Sequence, residues 1–278
     1  MILVPLVPFF MVLAIGYYYF TTSLESSTIT RMKRIVEDHG QLIESFLAER
    51  KADLDLIIDS NRYEDLIRPG KLAELFEHLQ KNVNAFVDLG IFNQDGIHVA
   101  YYGAFKLTGR VYKDTEWFQN VMKQGYYISD IFLGYRQIPH FIIAVAREVD
   151  GKKWVIRATI DSFMFNNLVK RVRIGKTGEA YILNADGVLQ TERRSGGNLM
   201  TKPSDDIKYP AANSGITSFI NTDAKGEKYL YTTTWLKEKK WLLVVRQEKS
   251  DVFQALRSAT YLIVLIMILG GAGIVAVA

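Results

Sequence analysis

The sequence predicts an α+β chain. One long N-terminal helix precedes two tandem modules, each on a five-stranded antiparallel sheet, and a membrane-spanning helix stands at either end. Three observations predict it. Residues 1–20 and 259–278 carry no charged side chain. A helical apolar stripe runs through 22–60. Downstream, the phrase IFNQDGIHV at 91–99 is written again as ILNADGVLQ at 182–190.

The charge-free runs come first. About 20 apolar residues at ~1.5 Å rise cross a ~30 Å hydrocarbon core. Residues 1–20 read as a span or as a cleaved signal peptide. The run is long for a signal peptide and no small-x-small site follows it. Tyr17, Tyr18, Tyr19 and Phe20 read as an aromatic belt at the membrane surface. In 259–278, Gly270, Gly271 and Gly273 suit close helix packing in lipid. All 34 basic and 30 acidic residues therefore lie in 21–258, with the net charge of +4. A loop that long is translocated largely regardless of charge. It is placed outside the cell membrane, periplasmic or extracellular, in keeping with zero cysteines. The chain stops where the second span ends, so an output module is expected beyond it.

Between the spans, 21–70 reads as a stalk. Ile29, Met32, Val36, His39, Ile43 and Phe46 recur in steps of three and four, with Leu54 and Ile57 further on. The stripe suits a homodimer interface along the stalk or the core of its own domain. Residues 71–172 form the membrane-distal module. A short helix (71–84) leads to strands at 87–93 and 97–103 around Asp95-Gly96, a strong hairpin signal. A helix at 113–124 with Asp114 as N-cap follows, then strands at 126–134, 140–148 and 154–160. Asp161-Ser162 caps a helix running to 173. Residues 173–258 repeat the pattern with strands at 178–184, 188–193, 215–222, 227–236 and 241–248, then a helix at 251–257. Trp154 and Trp241 head corresponding last strands, which marks a duplicated module.

Two spans, a long first helix and two successive sheet modules resemble the double Cache sensor family, whose modules are PAS-like. YKDTEWFQNVMKQGYYISDIFLGYRQIPHFIIAV (112–145) is similar to the distal module from its pocket helix through its fourth strand. RIGKTGEAYILNADGVLQT (173–191) is similar to the start of the proximal one. The resemblance implies a sensor that captures a small molecule in the distal module and signals through the second span. The implied output is a histidine kinase first, with a chemoreceptor or a cyclic-di-GMP enzyme as alternatives. Amino-acid-binding members carry Arg-x-Trp-Tyr on the pocket helix, Tyr-x-Asp after the third strand and Asp on the fifth. Here those positions read Thr115-Glu116-Trp117-Phe118, Phe132-Leu133-Gly134 and Thr159. The resemblance therefore argues against an α-amino acid and towards another carboxylate.

Alternation on the last distal strand puts Val155, Arg157 and Thr159 on one face and Ile156, Ala158 and Ile160 on the other. The apolar face packs on the long helix, so Arg157 points beneath the 113–124 helix. A buried guanidinium wants a carboxylate. That partner is Asp130 or Glu116 of the chain itself, or a ligand. Tyr101, Tyr102, Trp117, Tyr127 and Phe132 supply aromatic walls, with Phe118 on the pocket helix. Arg136 and His140 flank Pro139 at the lip, where His140 adds pH sensitivity. The candidate site is thus Tyr101, Trp117, Phe118, Tyr127, Asp130, Phe132, Arg136, His140, Arg157 and Thr159. Four scattered histidines and no cysteine give no metal-ligand spacing. GKTGEA (175–180) leads into a strand, so it is a turn and no phosphate loop. No cofactor, catalytic site or nucleic-acid partner is expected. A ligand-free dimerisation or protein-docking module is the other class of reading.

Overall fold

The computed structural model describes residues 3–82, 85–172, 174–204, 207–212, 214–223, 225–254 and 261. Helix α1 (Leu3–Ser60) is unbroken. Short α2 (Tyr63–Leu66) and amphipathic α3 (Lys71–Asn82) follow it. Among the described residues no helix is long and apolar enough to cross a membrane. The predicted second span lies outside them except Tyr261, as do the side chains of 1–10 and 13. Met11, Ile15 and the belt Tyr17 to Phe20 are exposed.

The distal sheet takes the order β2-β1-β5-β4-β3, all antiparallel. Its strands are β1 (Phe86–Phe92), β2 (His98–Tyr102), β3 (Tyr126–Ile128), β4 (Phe141–Val149) and β5 (Lys152–Ile160). The duplicated phrase is the same turn twice. Asn93 Oδ1 accepts from Asp95 N and Ile97 N at 3.1 and 2.9 Å. Asn184 Oδ1 accepts from Asp186 N and Val188 N at 3.0 and 2.8 Å. Gly96 and Gly187 supply φ of 73° and 76°. A third copy escaped the sequence reading because Asp replaces Asn: Asp223 Oδ1 accepts from Lys225 N and Glu227 N at 2.8 and 2.9 Å.

The two faces of the distal sheet divide as alternation requires. Leu89 and Ile91 of β1, Phe141 and Ile143 of β4, and Ile156, Ala158 and Ile160 of β5 belong to one core that also takes in the α1 stripe from Met32 to Ile57 and the second sheet. Burying each large apolar side chain stabilises by about 1.5–3 kcal/mol. The stripe on α1 therefore faces its own chain, and a homodimer along this helix would have to use the opposite face, where Leu42 and Leu56 are exposed. On the other side of the sheet, Phe92, Ile142, Ala144 and Val155 pack beneath α4 (Glu116–Gln124) through Trp117, Phe118 and Val121.

Four predicted elements are corrected. Thr115, not Asp114, is the N-cap of α4; its hydroxyl turns back to Tyr112 O at 2.7 Å and caps nothing. The strand predicted over 126–134 stops at Ile128. Ser129 Oγ takes the hydrogen bond of Ile142 N at 3.0 Å, and pairing resumes only as a bridge at Phe132 and His140. Asp130 and Ile131 are thereby pushed out of the ladder. Among the described residues the proximal sheet has four strands, not five, in the order β6-β9-β8-β7. These are β6 (Glu179–Asn184), β7 (Thr217–Thr222), β8 (Lys228–Trp235) and β9 (Trp241–Glu248). The strand predicted at 188–193 shrinks to one bridge, Leu183 to Leu189, because side chains replace the ladder: Thr191 Oγ1 accepts from Ile182 N at 2.9 Å. The last helix begins early, as α6 (Lys249–Val252), and Arg257 lies outside the described residues. Helix α5 (Ser162–Lys170) is capped by Asp161, which accepts from Phe163 N and Met164 N at 2.8 and 3.2 Å.

Candidate functional site

Strand register aligns the polar residues of the distal sheet. Asp88 of β1 pairs with Thr159 of β5, Gly90 with Arg157, and Phe92 with Val155. These residues share the face beneath α4. Between that face, α4 and the segment 129–140 lies a cavity of about 540 Å³. That is the size of a small-molecule site, roughly 300–1,000 Å³.

Seven predicted residues line this cavity: Trp117, Tyr127, Asp130, Phe132, Arg136, His140 and Arg157. Tyr112, Glu116, Ser129 and Tyr135 join them. Four predicted residues do not, among them Tyr102, whose ring packs against Phe76 at 5.1 Å between centroids. Tyr101 gives its hydroxyl to Asp88 Oδ2 at 3.0 Å. Phe118 packs edge-on against Trp117, ring centroids 5.6 Å apart. Thr159 is buried beside Asp88 in the register, and its Oγ1 has no hydrogen-bond partner.

Arg157 is the centre of the site. It is 3% exposed, and its guanidinium lies 4.9, 5.2 and 5.3 Å from the ring centres of Phe92, Trp117 and Tyr112. Its Nε has no hydrogen-bond partner. Neither carboxylate expected from the sequence reaches it. Glu116 accepts from Tyr127 OH at 3.2 Å. Asp130, freed from its strand, accepts from Trp241 Nε1 at 2.7 Å and Asn184 Nδ2 at 2.9 Å, with Lys239 Nζ at 3.1 Å. Burial lowers the Arg157 pKa from the usual guanidinium value, and the nearby Asp88 opposes that. The ring faces satisfy the charge in part, Tyr112 shares a hydrogen bond with the guanidinium, and Nε is left without a partner.

Asp88 is the residue the sequence reading missed. It is fully buried, its Oδ2 is ion-paired with Arg136 Nη2, and its Oδ1 has no hydrogen-bond partner. One signal was available: an acid in the apolar run VDLGIFN, two positions from Gly90 on the same face. Gly90 has a reason of its own, since a Cβ there would stand 2.2 Å from His98 Nε2.

Asp130 is ionised more readily than an ordinary carboxyl. Burial works against this, and Lys239, Trp241 and Asn184 outweigh it. Burial pushes His98 down to about 3 and His140 down to about 4; the cations Arg157 and Arg136 add to this for both. Both rings are therefore neutral at pH 7. His140 Nδ1, 2.7 Å from Ile138 O, is then assigned the proton. The unfolded chain binds these protons near pH 6.5 and the folded chain does not, so stability falls as pH drops below about 6.5. Each histidine should remove about 2 kcal/mol by pH 5. Thermal unfolding from pH 7.5 to 5 should show the decline, and His140→Gln should remove about 2 kcal/mol of it.

No curated protein sequence matches the chain. Solved structures share the fold at low identity. The ligand-binding domain of the Campylobacter jejuni chemoreceptor Tlp3, in complex with 4-methylisoleucine, superposes with a TM-score of 0.64 at 15% identity, over 83% of this chain and 94% of that one. The ligand-binding domain of the Pseudomonas fluorescens chemoreceptor CtaA, in complex with L-isoleucine, gives 0.64 at 14%, over 84% and 98%. The extracellular domain of the histidine kinase candidate rpHK1S-Z16 gives 0.65 at 16%, over 82% and 97%. The Cache domain pattern matches residues 20–256, with its two sheets and the long helix beneath them, and the chain belongs to the Cache domain family.

Proposed function

We propose that this chain is the extracytoplasmic sensor of a bacterial transmembrane receptor, and that its distal cavity captures a small carboxylate through Arg157. One observation carries the reading: a buried guanidinium stands on a cavity wall with its Nε unpartnered. Buried polar groups are nearly always hydrogen-bonded, and a buried guanidinium lining a ligand-sized space suits a carboxylate. The charge-free runs 1–20 and 259–278 would anchor the domain. The signal would leave through the second run to a cytoplasmic output, a histidine kinase before a chemoreceptor or a cyclic-di-GMP enzyme. A ligand-free docking module fits a 540 Å³ cavity poorly.

An α-amino acid is the second reading, favoured by the cavity itself. The family's amino-acid motif is missing, yet Glu116 and Asp130 still place carboxylates on the wall. The bound 4-methylisoleucine and L-isoleucine of the solved neighbours belong to this class. Calorimetry decides between the two. Carboxylates presented with and without an α-amino group should bind in either case, since Arg157 serves both. A loss of more than about tenfold without the ammonium, worth about 1.4 kcal/mol, selects the amino acid. Failure of every carboxylate to bind rejects both.

A further inference from the structure

We infer that Asp88 fixes the charge of the ligand, so that the cavity admits one carboxylate and turns away dicarboxylates. The inference rests on the reading that Arg157 receives a carboxylate, and goes beyond it. Two guanidiniums line the cavity, Arg136 and Arg157, which by count alone would suit a dianion. They are not equivalent.

Arg136 is already engaged. Its Nη2 is ion-paired with the fully buried Asp88, and its guanidinium lies 5.4 Å from the Phe105 ring centre. Tyr101 OH donates to the same Asp88 oxygen at 3.0 Å and accepts from Phe105 N at 3.3 Å. Gly103 keeps room for this arrangement: a Cβ there would stand 2.4 Å from Tyr101 OH and 2.5 Å from Asp88 Cβ. Drawing Arg136 towards a ligand would strand a buried carboxylate, which is strongly unfavourable.

The remaining charges follow the same logic. Asp130 is matched by Lys239 at 3.1 Å. Glu116 has no ion pair among the described residues and shares one hydrogen bond, with Tyr127. His140 is neutral at pH 7. Among the described residues the wall therefore offers one cation without an ion pair, Arg157, and one carboxylate without one, Glu116. That pairing suits a ligand with a single carboxylate and a neutral or cationic far end. A second ligand carboxylate would meet Glu116 and an Arg136 whose charge is already taken.

The test compares butyrate, 4-aminobutyrate and succinate, equal in chain length, by calorimetry and ligand-detected NMR on the purified chain. Either monocarboxylate should bind at least about tenfold tighter than succinate. Asp88→Asn, which releases Arg136, should shift that ratio towards succinate by about tenfold. Glu116→Gln, at an exposed position that threatens no core, should shift it the same way by a smaller factor. Succinate binding as tightly as the monocarboxylates, or a ratio unmoved in both variants, overturns the role of Asp88 and leaves Arg157 standing. Binding of none of the three, even at millimolar concentration, overturns the Arg157 reading itself.

Discussion

Replacing Arg157 with Met should abolish carboxylate binding while leaving the unliganded domain at least as stable as before. The two effects have one cause. The guanidinium is buried against Phe92, Trp117 and Tyr112 with its Nε unpartnered. Desolvating a cation without a full set of partners is costly, and replacing such groups by apolar side chains of similar size is often neutral or stabilising by about 1–4 kcal/mol. Met fits the aromatic cage, since a thioether packs well against rings. Bound ligand reverses the balance, because its carboxylate would pair with the buried charge. Losing one partner of a buried charge-assisted pair costs about 2–5 kcal/mol, or roughly 30-fold to several-thousand-fold in affinity. Calorimetry with the best-binding carboxylate, together with thermal unfolding of ligand-free protein, reads both. A Met variant that binds normally removes Arg157 from the site. A Met variant that unfolds far below wild type makes Arg157 a structural residue instead.

Much of this site was legible because strands keep a strict period of two. Alternation on β5 alone put Arg157 opposite the face that packs on α1, and Ile156, Ala158 and Ile160 are buried in the core that α1 shares. The partner of Arg157 was not legible. Expecting Asp130 treated the segment after β3 as a continuing strand, and Glu116 on α4 accepts from Tyr127 instead. Ser129 ends that strand with its own hydroxyl, a side-chain-for-backbone exchange that hydropathy does not register. The same exchange at Thr191 removed the fifth proximal strand. Asp88 was missed for a different reason. An acid inside a buried strand becomes interpretable only when its cross-strand and cross-loop neighbours, Thr159 and Arg136, are known, and these lie 71 and 48 positions away.

The displacement of Asp130 is also what connects the cavity to the rest of the chain, and Asp130→Ala should uncouple them. Asp130 lines the cavity, yet its three partners, Trp241, Asn184 and Lys239, all belong to the proximal sheet or its β8–β9 turn. Its neighbour Ile131 donates its backbone N–H to Gln190 Oε1 at 2.8 Å. Asn184 serves twice, capping its turn through Oδ1 and holding Asp130 through Nδ2. Trp241 opens β9, which ends at Glu248, and α6 follows at once. A ligand that shifts Asp130 would therefore pull on the strand leading towards the second charge-free run. Alanine leaves the buried Trp241 N–H without its acceptor, at about 1–3 kcal/mol, and removes the charge that matches Lys239. A total destabilisation of about 3–4 kcal/mol is expected in thermal unfolding. Hydrogen exchange supplies the decisive readout. In the wild type, ligand should protect amides of β6 and β9 as well as those of the distal sheet. In Asp130→Ala, at a temperature where the variant is folded, protection should stop at the distal sheet. Protection of β9 undiminished in the variant would mean that the two modules communicate by another route, with α1, packed against both sheets, the remaining path.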